Sequence, residues 1–294
     1  MPELPDITVY VESIERLLAG AVLNKVLLPN VFLLRTVDPP VSALEGKRLQ
    51  QVERIGKRIV LGFEEDLFAV IHLMIAGRFK WYPPRGKVPK STLVLACFEF
   101  DRGTLALTEA GTRRRASLHL LRGRDALAAH DAGGIDSMNC PLAEFTARLT
   151  HENHTLKRAL TDPYLFSGIG NAYSDEILHR AKLSPLAQSR RLSAADVARL
   201  HAAARDVLTE WLHRLRAECA NSFPGKVTAF RPEMAVHGKF KQPCPACGAR
   251  VQRIVYAENE CNYCPTCQTG GKLLADRALS RLLKSSWPKT ADDL

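Results

Sequence analysis

The hydrophobic period of this chain changes from strand-like to helical near residue 130, and that change limits the folds open to it. From Val22 to Leu121 the apolar residues fall in short β-rich runs separated by turn signals. The runs are Val22–Leu28, Leu49–Ile55, Arg58–Phe63, Leu67–Leu73, Leu93–Phe100, Thr104–Thr108 and Ser117–Leu121. Asp101-Arg102-Gly103 and Glu64-Glu65-Asp66 read as turns. Such spacing predicts an antiparallel sandwich or barrel. Asp131–Pro141, with Gly133-Gly134, reads as a linker. Beyond it the pattern is helical over Leu142–Leu149, Lys157–Leu160, Ala172–Ala181 and Ser193–Ala217. Ser193 and Asp196 open the last of these like a capping box. The chain therefore reads as α+β, with sheet and helices segregated.

One helix precedes the strands. Ile7, Val11, Ile14 and Leu18 recur at helical spacing, predicting a start just after Pro5, Asp6 as N-cap and an end at Gly20. In front of it stands Met1-Pro2-Glu3. Met beside a small second residue is normally removed, which would leave Pro2 with a free secondary amine. An α-amino group titrates near ~7.7–8, so an appreciable fraction is unprotonated at neutral pH. Attack by that amine on a carbonyl-like carbon gives an iminium, the Schiff-base route to covalent catalysis. Glu3 stands where a general acid or base would be needed.

The 294 residues suffice for two domains, and 41 Lys+Arg against 31 Asp+Glu favour a polyanionic partner. No run approaches ~18 uninterrupted apolar residues, which argues against a transmembrane helix. Glu3 and Asp6 sit where a signal peptide would be basic, so a cytoplasmic location is expected. Of eight cysteines, five lie between 244 and 267. Cys244-x2-Cys247, 16 residues, then Cys264-x2-Cys267 supplies four thiolates at zinc-knuckle spacing. A closed, structural zinc site is expected there, with Cys261 a bystander. The last amphipathic run is Leu273–Trp287.

Three more stretches bear on binding. In Ser167-Gly-Ile-Gly170-Asn171 the glycines let the backbone approach a ligand, and the following helix offers free N–H groups to an anion. Asn171 can add a side-chain donor. Gly56 can turn the chain so that Lys57 projects into a cleft, and Arg113-Arg114-Arg115 could grip phosphates.

Taken together the chain resembles the formamidopyrimidine-DNA glycosylase / endonuclease VIII family. The matches run in order: Pro2-Glu3-Leu4-Pro5, Gly56-Lys57, His72-Leu-Met-Ile75-Ala-Gly77-Arg78, Arg113-Arg114, Leu156-Lys157, Gly168-Ile-Gly170-Asn171 through Glu176, Val236-His-Gly238-Lys239 and the Cys-Pro-x-Cys finger. The resemblance implies a β-sandwich domain over residues 1–130 and a linker over 131–149. A helix–two-turns–helix domain over 150–225, a zinc finger over 226–268 and a helical extension over 269–294 follow. It implies a monomer that holds damaged double-stranded DNA in the cleft between domains and one structural zinc on Cys244, Cys247, Cys264 and Cys267. Nucleoid association is implied with it. The family flips a damaged base out of the duplex because the reacting atom is unreachable inside the stack. Pro2 is then implied as the nucleophile on the sugar, Glu3 as the acid for ring opening and Lys57 as a lyase and phosphate residue. Arg113, Arg114, Lys157, Asn171 and Lys239 are implied DNA contacts.

Four positions depart from the family pattern. Its second glutamate is Asp6 here, its wedge methionine aligns with Ile75, its companion aromatic is Arg115, and its finger arginine is Asn259. A neutral side chain at 259 forfeits a charge-assisted phosphate contact, for which Lys272 or Arg277 could substitute. The expected activity is that of a bifunctional glycosylase and abasic-site lyase on oxidised bases. Leu4-Pro5 favours purines such as 8-oxoguanine and formamidopyrimidines. The alternatives are oxidised pyrimidines, abasic sites or crosslinks as main substrates, or a non-catalytic reader of damaged DNA.

Overall fold

In a computed structural model the chain is described except at residues 112, 221, 226, 229, 257, 258, 275–289 and 291–294. It forms two compact units. Met1–Ala132 packs with Trp211–Thr228, and Gly133–Glu210 with Ala229–Leu294. The predicted final run Leu273–Trp287 lies almost wholly outside the described residues, as does Arg277.

The first unit opens with helix α1 (Leu4–Leu18). Its strands are β1 (Leu23–Leu27), β2 (Leu49–Ile55), β3 (Arg58–Phe63), β4 (Leu67–His72), β5 (Gly77–Tyr82), β6 (Val94–Phe100), β7 (Gly103–Glu109) and β8 (Ser117–Arg122). They form two four-stranded antiparallel sheets, ordered β1-β6-β7-β5 and β2-β3-β4-β8. The expected strands are present within a residue or two of their ends. β5 is an addition, since the sequence pattern marks no strand there. It needs Gly77 at its start, because a Cβ at that position would meet the Leu73 carbonyl oxygen at 2.2 Å. The Asp101-Arg102 turn closes on Gly103 at φ +140, a conformation L side chains rarely adopt.

Alternation buries one face of each sheet against the other. Ile59, Leu61, Phe63, Ala69 and Ile71 from one sheet share a core with Leu95, Phe98, Phe100, Leu105 and Leu107 from the other. α1 inserts Ile7, Tyr10, Ile14 and Leu18 into the same core, all fully buried. Tyr10, not Val11, completes the buried face; its ring packs edge-on to Phe79 at 5.8 Å. Each such side chain contributes on the order of 2 kcal/mol by leaving water. That burial anchors the helix whose start carries the catalytic candidates.

A short helix, α2 (Arg124–Ala128), follows β8. The second unit contains α3 (Leu142–His151), α4 (Leu156–Thr161), α5 (Asn171–Arg180) and most of α6 (Ala194–Glu218). Ser193 and Asp196 do form a reciprocal cap on α6, with N–H to oxygen distances of 3.3 and 3.1 Å. A hairpin of β9 (Gln252–Tyr256) and β10 (Asn259–Tyr263), then α7 (Pro265–Thr269), carries the cysteines. Mixed α+β architecture, antiparallel sheets and a four-cysteine finger therefore stand as the sequence led us to expect. Among the described residues no helix is long and apolar enough to cross a membrane.

Candidate active site

The first turn of α1 is built differently from the expectation. Glu3, not Asp6, is the N-cap, with Leu4 and Pro5 inside the helix. Asp6 is the third helical residue, and its Oδ2 accepts the Glu3 N–H at 3.0 Å as the return arm of a capping box. A carboxylate one methylene shorter than glutamate still spans that distance. Pro2, Glu3 and Asp6 are all buried, Glu3 to 2% exposure.

The α-amino group, carried by Met1 in the full chain, lies within this environment. Burial pulls it below its ordinary value; Arg78 and Lys57 act in the same direction, while Glu3 and Asp6 oppose them. These influences show that the fold brings Glu3, Lys57, Arg78 and Asp6 around the amine, although Lys57 and Arg78 are distant from it in sequence. Gly56, at φ +59, turns β2 into β3 and delivers Lys57. Arg78 enters from β5 and is itself tied to the Ile75 and Gly77 carbonyls at 3.1 and 2.6 Å. In the sequence Arg78 is part of a motif with no role of its own; only its place beside the amine reveals one. An amine made less basic and flanked by both charge signs can act as a nucleophile with an acid at hand.

Ile75 is 58% exposed in the β4–β5 connection. Arg113 and Arg114 are exposed in the β7–β8 connection. The connections are neighbours, since a Cβ on Gly111 would lie 3.4 Å from the Ala76 Cβ. Glu109, 1% exposed, holds the arginine loop by accepting the Arg115 and Ala116 N–H groups at 3.1 Å. Arg114 donates to the Thr92 carbonyl at 2.6 Å.

In the second unit the expected contacts gather about α5. The Lys157 ammonium donates to the Asn171 carbonyl at 2.7 Å, Ser174 Oγ at 2.8 Å and Asp175 Oδ1 at 2.5 Å. An ammonium has three donors, so here Lys157 grips its own chain and fixes the start of α5. The Asn171 amide donates to the Glu260 carbonyl in β10 at 2.8 Å. Asp175, fully buried, also accepts His237 Nδ1 at 2.8 Å and the Asn262 N–H at 3.1 Å. Burial works to raise its pKa, but Lys157 and His237 outweigh it and hold the carboxyl below the usual range. Glu176 accepts the N–H groups of Ala235, Val236 and His237 at 2.8–2.9 Å. Burial nevertheless leaves the Glu176 pKa raised. Two adjacent carboxylates thus hold the loop that leads to half-buried Lys239. Nothing in the local sequence pattern singles out either one.

The Sγ atoms of Cys244, Cys247, Cys264 and Cys267 all lie within 4.8 Å of one another. Tetrahedral Zn–S bonds of ~2.3 Å place sulfurs about 3.8 Å apart, and the Cys247–Cys264 and Cys244–Cys267 separations are 3.4 and 4.0 Å. The donor set therefore fits a four-thiolate metal ion. His179 of α5 reaches Cys244 Sγ at 3.2 Å, a supporting contact that spacing along the chain does not foreshadow. Cys261 is buried and outside the cluster. Lys272 follows the finger, its N–H donating to the Thr269 carbonyl at 3.3 Å.

The model of the formamidopyrimidine-DNA glycosylase N-terminal domain matches residues 1–118, and that of the formamidopyrimidine-DNA glycosylase H2TH domain matches residues 134–219. A formamidopyrimidine-DNA glycosylase of Exiguobacterium sibiricum is 30% identical over 280 residues, covering 91% of this chain and 99% of its own. The chain belongs to the formamidopyrimidine-DNA glycosylase / endonuclease VIII family. An uncharacterized formamidopyrimidine-DNA glycosylase-like protein of Mycobacterium tuberculosis is 42% identical over 151 residues, 51% of this chain and 94% of its own. The crystal structure of the MutM (Fpg) protein from Thermus thermophilus superposes with a TM-score of 0.74 at 28% identity, covering 91% of this chain and 98% of that one. Membership accounts for the N-terminal sheet domain and the H2TH helices within one family plan.

Proposed function

We propose that this protein is a base-excision-repair DNA glycosylase with abasic-site lyase activity, acting on oxidised purines such as 8-oxoguanine and formamidopyrimidines. The observation that carries the reading is the buried α-amino group, lowered in basicity and attended by Glu3, Arg78, Asp6 and Lys57. With Met1 removed, the Pro2 nitrogen occupies the end of that site. Its lone pair forms a bond to the sugar C1′, the bond to the damaged base breaks with its electrons leaving on the base, and the proton shed by the Pro2 nitrogen passes to that base. Glu3 donates a proton to the ring oxygen as the sugar opens, giving a Pro2 iminium. The iminium makes the neighbouring C–H acidic; loss of that proton expels the 3′ phosphate, and a second elimination expels the 5′ phosphate. Lys57, beside the amine, is suited to these proton transfers and to a phosphate. A damaged nucleotide flipped from the duplex is the substrate form such a buried site requires.

In the second unit, Asn171, Lys239 and Lys157, the last through its hold on α5, would position backbone phosphates. Ile75 is an exposed apolar wedge of the kind that fills the space left in the stack. The four cysteines would hold zinc, which folds the hairpin and takes no part in the chemistry.

Borohydride trapping tests the reading on duplexes carrying 8-oxoguanine, an oxidised pyrimidine or an abasic site, beside Pro2→Gly, with Met1 removal checked by mass. A covalent adduct, strongest with 8-oxoguanine and lost in the variant, is expected. No adduct on any duplex despite tight binding would make the protein a non-catalytic reader.

A further inference from the structure

The outer face of the β2-β3-β4-β8 sheet gathers basic side chains from three stretches of the chain. Strand pairing sets Arg58 beside His72 and Val70 beside His119. Alternation places these side chains with Val60 and Phe68 on the face covered by Leu127 of α2, away from the main core. After α2 the chain returns over this face, and the His130 ring meets the His119 ring with centroids 4.9 Å apart at 64°. Arg58 donates to the His130 carbonyl at 3.2 Å. On the other side, the Arg35 N–H donates to the Leu118 carbonyl at 2.9 Å, which sets Arg35 next to His119.

Burial is the largest influence on each of His72, His119 and His130, and the rest come from Arg35, Lys57, Arg58 and one another. All three rings are held below the ordinary histidine range, His72 at about 4. On α2, Asp125 is exposed and Arg124 pairs with Glu53 of β2 at 3.0 Å; Asp131, next to His130, is exposed. Charging these rings beside Arg58 on a half-buried face costs energy. An anion supplied from outside removes that cost.

We propose that Arg58, His119 and His130, flanked by Arg35, form a site for one backbone phosphate of DNA, and that its grip tightens as the two rings take up protons. The inference rests on the DNA-binding reading above. The sign follows from the chemistry: the rings are neutral at pH 7 in the free protein, and a phosphate between them favours their charged form. Affinity therefore rises as pH falls. Arg35 and Arg58 retain a salt-dependent attraction throughout.

The test is fluorescence anisotropy with an undamaged duplex at constant ionic strength, comparing pH 7.5 with pH 5.8 for the parent protein and for His119→Gln/His130→Gln. The parent should tighten on acidification by roughly threefold or more beyond any tightening of the variant, in which His72 is retained. Equal responses in the two proteins overturn the proposal. A variant that does not fold leaves the decision to proton NMR of the parent's histidine rings. Duplex DNA that raises the pKa of His119 and His130 supports the site, and unchanged values sink it. Shifts produced by inorganic phosphate but not by duplex would overturn the DNA assignment. Absence of duplex binding at both pH values would instead remove the DNA reading itself.

Discussion

The Asn171 side-chain amide donates to the Glu260 carbonyl at 2.8 Å, joining the first residue of α5 to the second strand of the cysteine hairpin. Through this bond one side chain sets both the helix start and the finger. Asn171→Ala should cost about 1 kcal/mol, the usual net value of such a bond. Its effect on DNA affinity should be larger, because two proposed phosphate-facing elements lose their common register. Thermal unfolding alongside a binding titration checks both, and unchanged affinity would deny Asn171 that part.

Lys157→Met leaves the Asp175 carboxylate buried with one cation fewer. Breaking a buried pair costs ~3–5 kcal/mol, so denaturant unfolding should show a loss of at least about 3 kcal/mol. Asp175→Asn should reshape the acid limb of the stability profile. Its carboxyl has a depressed folded-state pKa, so its contribution is present above the unfolded value of ~3.9 and is lost as pH falls through the folded one. The variant should lose stability at neutral pH and lose less on further acidification. An unaltered acid limb would contradict the assignment.

The α-amino group is less basic than an ordinary one because of burial first and Arg78 and Lys57 next. If the Pro2 amine in the same site shares that shift, trapping at saturating abasic DNA should decline on acidification as it protonates, at a lower pH than for an ordinary α-amine. Arg78→Gln removes a cation that disfavours protonation, and should move that decline to higher pH. A profile that does not move would place Arg78 outside the electrostatics of the nucleophile.

The purified protein should contain about one zinc per chain, as four thiolates at this geometry require. Cys264→Ser should abolish it and weaken DNA binding, since the hairpin's folding depends on the metal. Metal analysis with a duplex titration decides, and stoichiometric zinc in the variant would refute the ligand set.

Gly77→Ala tests the close approach at the start of β5. The added methyl meets the Leu73 carbonyl oxygen at 2.2 Å, so a loss of roughly 2 kcal/mol and a melting point several degrees lower are expected. Arg78 would move with it, and trapping should fall in parallel.

Much of this was legible in the sequence because it depends on local period and spacing. Alternation marked seven strands, the 3.6-residue period marked the longer helices, and two Cys-x2-Cys knuckles named their own ligands. β5 escaped because Gly77-Arg78-Phe79-Lys80-Trp81-Tyr82 is short and mixed, and pairing with β7 is what makes it a strand. Asp6 was misplaced by three positions because Glu3 and Asp6 are both plausible caps; the return bond to the Glu3 N–H decides between them.

What the sequence by itself determined is the inventory: a nucleophile-capable Pro2, an acid at Glu3, four thiolates and a basic balance. Only the tertiary structure decided which charges act on one another. Arg78 comes to the amine, Asp175 and Glu176 hold the loop before Lys239, and His119 meets His130. The physical reason is that composition and periodicity depend on neighbours along the chain. Electrostatic coupling depends on distance and burial in space, and only packing sets those.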